Sequence, residues 1–322
     1  MVPEPDAEAS GSGTNADGSF YQLYEGLGDA TDPVTGQGLH RFGGNDNDDS
    51  SGALRFVSIR YSGKALDANK ELNALSLAAV GRGTTVEFVE VYAGADDGFE
   101  FWGGAVNTRY LVASYCSDEM FDMDQGHMGK HQFWFGLQAI TGDEGLELNG
   151  QPTGGANVQV VGATPFGRHE IYNVTLIGEG VGATSGSDVM NTRAEYYGSI
   201  HNSVFTQFQG RRVTESVANN YGYVANNLFF DIYGAGTGGD TYGDTNAPAA
   251  LNPIADPQLR GISRIQNGGL DPRPLPGSPV FTGYKETPAN GWFCPAPYKG
   301  AFDANDNWLL GWTALYLSLI HI

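Results

Sequence analysis

Apolar residues in this chain recur in short alternating runs that change phase halfway. Leu54-Arg55-Phe56-Val57-Ser58-Ile59 is apolar at Leu54 and Phe56, then again at Val57 and Ile59. Val86-Glu87-Phe88-Val89-Glu90-Val91 has the same form, and Thr108-Arg109-Tyr110-Leu111-Val112-Ala113 is a weaker third copy. Alternation of period two marks a strand with one buried face. A phase break inside the run predicts a strand that bends at a corner and continues on the next face of a coil. Leu75-Ser76-Leu77-Ala78 reads as a short strand between the first two copies.

These strands belong to a repeat. Thr84–Gly104 and Val106–Gly126 overlay at an offset of 22, with Phe88 on Tyr110, Val89 on Leu111, Phe99 on Phe121 and Glu100 on Asp122. Asp97-Gly98-Phe99-Glu100-Phe101-Trp102-Gly103 returns as Glu144-Gly145-Leu146-Glu147-Leu148-Asn149-Gly150. A unit this short cannot bury its own apolar face, so copies must stack. The pattern predicts an all-β fold, a parallel β-helix (solenoid) over 51–233. Later coils set Asn before an apolar run, at Asn173, Asn202 and Asn226-Asn227, which predicts a coil-to-coil amide ladder. A sequon at Asn173-Val174-Thr175 would then be buried.

The flanks differ. Residues 1–50 are polar and Gly/Asp-rich, with a flexible run at Ala9–Gly13 and an acidic loop at Gly43–Asp49 that resembles a calcium loop in composition but lacks EF-hand spacing. Residues 234–316 read as a loop-rich C-terminal extension lying along the solenoid, whose aromatic stretch Gly291–Leu315 is expected to cap the open end. Residues 317–322 read as a non-native sequencing scar.

Composition narrows the partners. Among 322 residues, 37 Asp and Glu face 17 Lys and Arg, a formal net charge of -20. That disfavours nucleic acid and anionic membranes. It favours a neutral polysaccharide, or an acidic one bridged by a divalent cation. No apolar run is long enough for a transmembrane helix. Cys116 and Cys294 form no metal motif; they read as two unpaired residues, with a long-range disulfide as the alternative.

Stacked coils lie about 4.8 Å apart, so the repeat sets Glu100, Asp122 and Glu147 in one outward column and Trp102, Asp124 and Asn149 in the next. Asp96, Asp97, Asp118 and Glu119 fall at the preceding turns. Three readings compete. Asp96, Asp97, Asp118, Glu119, Asp122 and Asp124 are hard oxygen ligands suited to calcium. Glu100, Asp122 and Asp124 are spaced for the paired acids of glycoside hydrolysis. The plainest reading is that the acids were duplicated with the coil and are exposed and inert, although like charges stacked so closely repel. Trp102 would stack on a sugar, with Glu147, Asn149, Lys130 and His131 beside it. A polysaccharide lyase needs a base, for which Lys130 or Arg109 would serve. Arg109 aligns with Glu87 and His131 in a mixed-charge column.

The phrases GGNDNDDSSGALRFVSIRYSG, ELNALSLAAVGRGTTVEFVEVYAGADDGFEFWGGAVNTRYLVAS and YKGAFDANDNWLLGWTAL occur in that order. They resemble a family of bacterial secreted or surface-anchored proteins, many described as hypothetical proteins or lipoproteins. The resemblance implies a right-handed, single-stranded parallel β-helix, export from the cell to the surface, periplasm or medium, and earlier coils N-terminal to this sequence. It assigns no catalytic residue. The expectation is an exported, carbohydrate-interacting, calcium-binding β-helix without catalysis. The alternatives are a polysaccharide lyase or glycoside hydrolase, and a structural adhesion module.

Overall fold

A computed structural model describes residues 12–14, 20–24, 27–67, 70–150, 153–154, 158–159, 166–183, 186–193, 196–215, 221–265 and 267–316. The expected scar at 317–322 and most of the run at Ala9–Gly13 lie outside the described residues.

Two parallel sheets form the body. The larger is built from eight-residue strands, Ala53–Arg60, Thr85–Tyr92, Asn107–Ser114, Lys130–Leu137 and Glu170–Ile177. In the last two coils each long strand divides in two, Ser199–His201 with Val204–Thr206 and Tyr223–Ala225 with Leu228–Phe230. The smaller sheet stacks Leu75–Ala78, Phe99–Trp102, Phe121–Asp124, Leu146–Leu148, Met190–Thr192 and Thr214–Glu215. This is a parallel β-helix. The register matches the repeat: Val89 pairs with Leu111, Phe99 with Phe121, and Asp122 with both Glu100 and Glu147. Phe99, Phe101, Phe121, Met123, Leu146 and Leu148 fill the interior.

The phase break is a left-handed residue. Phe56, Phe88, Tyr110, Phe133 and Asn173 sit mid-strand with φ between 53° and 60°, and Asn202 and Asn226 occupy the same corner with φ 52° and 65°. For a bulky L-residue this conformation costs about 1–2 kcal/mol. Stacking offsets it in the early coils, where Phe56, Phe88, Tyr110 and Phe133 form a continuous ring ladder at 4.6, 4.3 and 5.1 Å. Each such ring pair contributes about 0.5–1.5 kcal/mol. In the later coils Asn tolerates the corner by itself.

Those asparagines do not form the expected ladder with one another. Their side chains hold the C-terminal segment: Asn173 donates to the Tyr298 carbonyl (2.8 Å), Asn202 donates to the Lys285 carbonyl (2.7 Å) and accepts from its N–H (2.8 Å), and Asn226 donates to the Gly283 carbonyl (3.4 Å). The reason is geometric, because a left-handed corner turns its side chain outward. The internal ladder runs one residue later. The Ser203 N–H donates to Asn227 Oδ1 (2.9 Å) and the Asn227 N–H to Asn252 Oδ1 (3.1 Å). Asn173 is buried, so its sequon is covered.

The aromatic tail also departs from expectation. It runs back along the flank instead of over the open end. Trp312 meets Phe56 and Phe88 edge-on (6.1 and 6.0 Å), Trp308 meets Tyr110 (5.3 Å), and the Ala314 N–H donates to the buried Glu90 carboxylate (2.7 Å). The corner ladder offers apolar ring edges that the two indoles cover. The far end is closed by residues 241–255, where Tyr242 packs edge-on against Phe229 (5.6 Å) and Ile254 bridges to it. Cys116 lies in the core and Cys294 on the tail, and both are free thiols.

Three histidines are sealed inside. His127 Nδ1–H donates to the Gly103 carbonyl (2.8 Å), so its Nε2 accepts, from the Gly129 N–H (3.2 Å) and from His131 Nε2–H (3.0 Å). His131 Nδ1 then accepts from the Thr108 hydroxyl (2.9 Å), which accepts from the Trp134 indole (3.0 Å). The chain requires neutral imidazoles. Burial pushes His127 down to about 4 and holds His131 and His169 well below the ordinary imidazole range.

Two outcomes follow. Trp312→Ala is expected to destabilise the protein by about 2–4 kcal/mol in a denaturant titration; no change would mean the tail is not seated on the ladder. Unfolded histidine takes up a proton near pH 6.5 while the folded form does not, so this stability is present above that pH and is lost as pH falls. His169→Phe should make the acid-side loss between pH 6.5 and 4 shallower by about 1.4 kcal/mol per pH unit. Parallel stability curves for variant and parent would contradict it.

Candidate functional site

The smaller sheet carries two polar columns on the side away from the core. One is Ser76, Glu100, Asp122, Glu147 and Asn191, fixed by successive register pairs. The other lies three residues earlier in each coil, at Asn73, Asp97, Glu119, Glu144 and Asp188. It is held at the turns by backbone bonds such as Gly98 N–H to the Glu119 carbonyl (2.9 Å). Strand alternation that sends Phe99 and Phe121 inward sends Glu100 and Asp122 outward. Parallel register then sets acid over acid.

These acids are not exposed. Glu100, Asp122 and Glu147 are buried at 3%, 7% and 9% exposure, as are Asp96 and Asp97. Part of the pairing comes from neighbouring coils and part from Arg193, which the repeat does not reveal. Asn73 donates to Glu100, Arg193 pairs with Glu147, and the Glu119 N–H donates to Asp97 Oδ1 (3.1 Å). Asp188 at the column's end is held by Arg211 (2.6 Å).

Two oxygens of the first column have no such partner, Asn191 Oδ1 at its end being one. The other, Asp122 Oδ1, is buried without a hydrogen bond. One oxygen each of Asp97, Glu100 and Asp122 lie within 4.8 Å of one another, and so do those of Glu119, Glu144 and Glu147 and those of Asp97, Asp118 and Glu119. The electrostatic result is uniform. Burial, then the Asp124, Glu147, Glu100 and Glu119 carboxylates, push Asp122 well above the usual carboxylate range. Burial and Asp122 do the same to Asp97, and burial and Asp97 to Glu119. Glu144 is pushed up to about 7 by burial and Asp143, and Glu147 to about 8 by burial against the opposing pull of Arg193. Glu144 is the residue that sequence reasoning missed, although the third copy of the repeat already set it beneath Asp97.

Several expected roles fail on position. Trp102 has no exposed surface. Tyr24 stacks on it at 5.2 Å and Phe42 meets it edge-on at 5.4 Å, so it presents no face to a sugar. Asn149 is buried and donates to Asp124. His131 is in the core and pairs in register with Thr108; the residue beside Arg109 is Gln132, and Arg109 meets Glu87 at 3.9 Å. Strand alternation explains the correction, since the coil is 23 residues long there and the offset of 22 slips by one. Lys130, half-buried and in register with Glu170, stands with Arg109 on the larger sheet, whereas the acids stand on the smaller one.

A cleft lined by Leu27, Leu39, His40, Phe42 and Leu72 adjoins the acids, Leu72 being next to Asn73. No helix among the described residues is long and apolar enough to cross a membrane. No curated protein and no solved structure matches the chain. A family model described as a pectate-lyase-like β-helix domain matches residues 25–233, well over half of the sequence, a span that takes in all the stacked coils and the segment just before them. On that match and on the two parallel sheets, the chain belongs to the pectate-lyase-like β-helix family.

Proposed function

We propose that this chain is a calcium-binding β-helix that holds a polysaccharide outside the cytoplasm without transforming it. The observation that carries the reading is the Asp122 carboxylate, whose Oδ1 is buried without a hydrogen bond and which brings one oxygen within 4.8 Å of oxygens of Asp97 and Glu100. A buried charge without a partner is strongly destabilising, and hard carboxylate oxygens are the donor set that calcium takes. Asp97, Glu100 and Asp122 would hold the ion, with Glu119 at its edge, and the ion would supply positive charge to an otherwise acidic face. The cleft beside Asn73 supplies the apolar contact that Trp102 does not. A family resemblance to pectate-lyase-like domains supports a polysaccharide as the ligand. Millimolar calcium outside cells suits a site of modest affinity.

A second reading, a lyase or hydrolase acting through Glu100, Asp122 and Asp124, draws support from Asp122, which burial and its acidic neighbours push well above the usual carboxylate range. Against it stands their burial, with no base on the same sheet among Lys130 and Arg109.

Calcium at a hundredfold excess over its dissociation constant should stabilise the protein by about 2.7 kcal/mol, a rise in melting midpoint of roughly 5 °C or more for a chain of this size. Asp122→Asn should abolish the rise while leaving the chelated protein at least as stable as the parent, because it removes repulsion. A midpoint indifferent to calcium would remove the ion from the reading. Without metal, the folded-state carboxyls titrate above their unfolded values, so their contribution is complete below about pH 4.5. It is lost as pH rises through about 7 and 8 for Glu144 and Glu147. Compared with Glu147→Gln, which carries the same buried histidines, the chelated parent should therefore lose more stability between pH 5.5 and pH 8, and calcium should restore the loss. For the ligand, retention on immobilised polysaccharides is compared with calcium and with chelator. Retention of none would leave a structural module.

A further inference from the structure

Chain from outside the coils lies over the smaller sheet at Trp102. This residue stands on the outward face, in register with Ala78 and Asp124 and beside the column of Ser76, Glu100 and Asp122. Tyr24 lies on its ring with the two planes 4° apart and the centroids 5.2 Å apart, and the Tyr24 hydroxyl bonds with Ser76. Phe42 closes the indole from the side at 5.4 Å. Both rings come from a small antiparallel sheet in which Phe20–Leu23 pairs with Arg41–Gly43.

This cover is loosely seated. Among the described strands, none of its own pairs with either sheet of the solenoid. Polar contacts tie it to itself: the Tyr24 N–H donates to the His40 carbonyl (2.8 Å), and Arg41 pairs with Asp29 (2.8 Å) and lies over the Tyr21 ring (4.0 Å). From Leu27 to Gly43 no residue is buried. A cleft of about 370 Å³ separates Leu27, Leu39 and Phe42 from Leu72 of the first coil. Segments with few buried contacts open at low cost while the rest of a fold stays closed.

Polar groups at this place are left unsatisfied. The Trp102 indole N–H and both amide atoms of Gln125, the residue after Asp124, are buried without a hydrogen bond. Such groups are costly to leave unpaired, and a permanent lining would meet them. Sugar hydroxyls both donate and accept, and the C–H face of a sugar ring stacks on an indole much as the Tyr24 ring does.

Resting on the polysaccharide reading above, we propose that Tyr24 occupies a sugar-binding position on Trp102, and that the segment carrying Tyr24 and Phe42 is a cover which an oligosaccharide displaces. With the cover in place the site binds weakly, because only the opened fraction is competent. Once it is displaced, Trp102 stacks on a sugar ring, and its N–H and the Gln125 amide are free for hydroxyls.

Two measurements on the full chain test this. Hydrogen exchange read by mass spectrometry should be at least about tenfold faster in Phe20–Leu23 and Arg41–Gly43 than in Phe99–Trp102, since the cover opens while the coils stay closed. Equal protection would make the segment a fixed part of the fold and overturn the proposal whatever the chain binds. Retardation is then measured in native gels cast with hydroxyethyl cellulose, with xylan or, in the presence of calcium, with polygalacturonate. Tyr24→Ala should bind the retarding polymer about tenfold more tightly than the parent does. Adding Trp102→Leu should abolish that gain, and circular dichroism checks that both variants fold. Unchanged or weaker binding by Tyr24→Ala, or a gain that survives Trp102→Leu, overturns the proposal and leaves the polysaccharide reading standing. Retardation of neither parent nor variant in any gel removes the polysaccharide reading and this proposal with it.

Discussion

Every feature of this molecule follows from the distance between coils. Parallel strands in register lie about 4.8 Å apart, so a residue is always stacked on its counterpart in the next coil. For rings this spacing is favourable, and Phe56, Phe88, Tyr110 and Phe133 use it to support a backbone conformation that none of them would adopt alone. For carboxylates it is unfavourable, and the same rule sets Glu100, Asp122 and Glu147 together. The protein accepts the second consequence at one place on its smaller sheet. It then sets a donor on Glu100 and another on Glu147, and leaves Asp122 Oδ1 without one.

Much of this was legible in the sequence because a repeat is a statement about neighbours. The offset of 22 gave the pairing of Phe99 with Phe121 and of Glu100 with Asp122, and the phase break located the corner at Phe56 and Phe88. What stayed hidden depends on residues outside the repeat. Asn73, which continues the second column with an amide in place of an acid, donates to Glu100, and Arg193, which has no counterpart in the repeat, pairs with Glu147. Trp102 is lost to solvent because Tyr24 stacks on it from the N-terminal segment. His131 was misplaced by a single residue of coil length, and in a strand one residue exchanges the inside for the outside.

The asparagines show a subtler limit. Asn before an apolar run was correctly tied to a repeated position, but two adjacent positions carry opposite roles. The corner Asn turns outward to the tail, while its neighbour Asn227 turns inward to Asn252. Only the backbone sign at Asn226, φ 65°, separates the two, and a sequence states that sign weakly.

The tail has a consequence for how the stack comes apart. A solenoid usually behaves as a row of independent neighbours, able to fray from either end. Here one segment touches the coil of Asn226, then those of Asn202, Asn173, Tyr110 and Phe88, and finally the first coil at Phe56. No terminal coil can open without releasing a strap that its neighbours also hold. A row of weakly coupled units is thereby joined into one cooperative body, in which a segment more than 200 residues further along the chain secures the coil of Phe56.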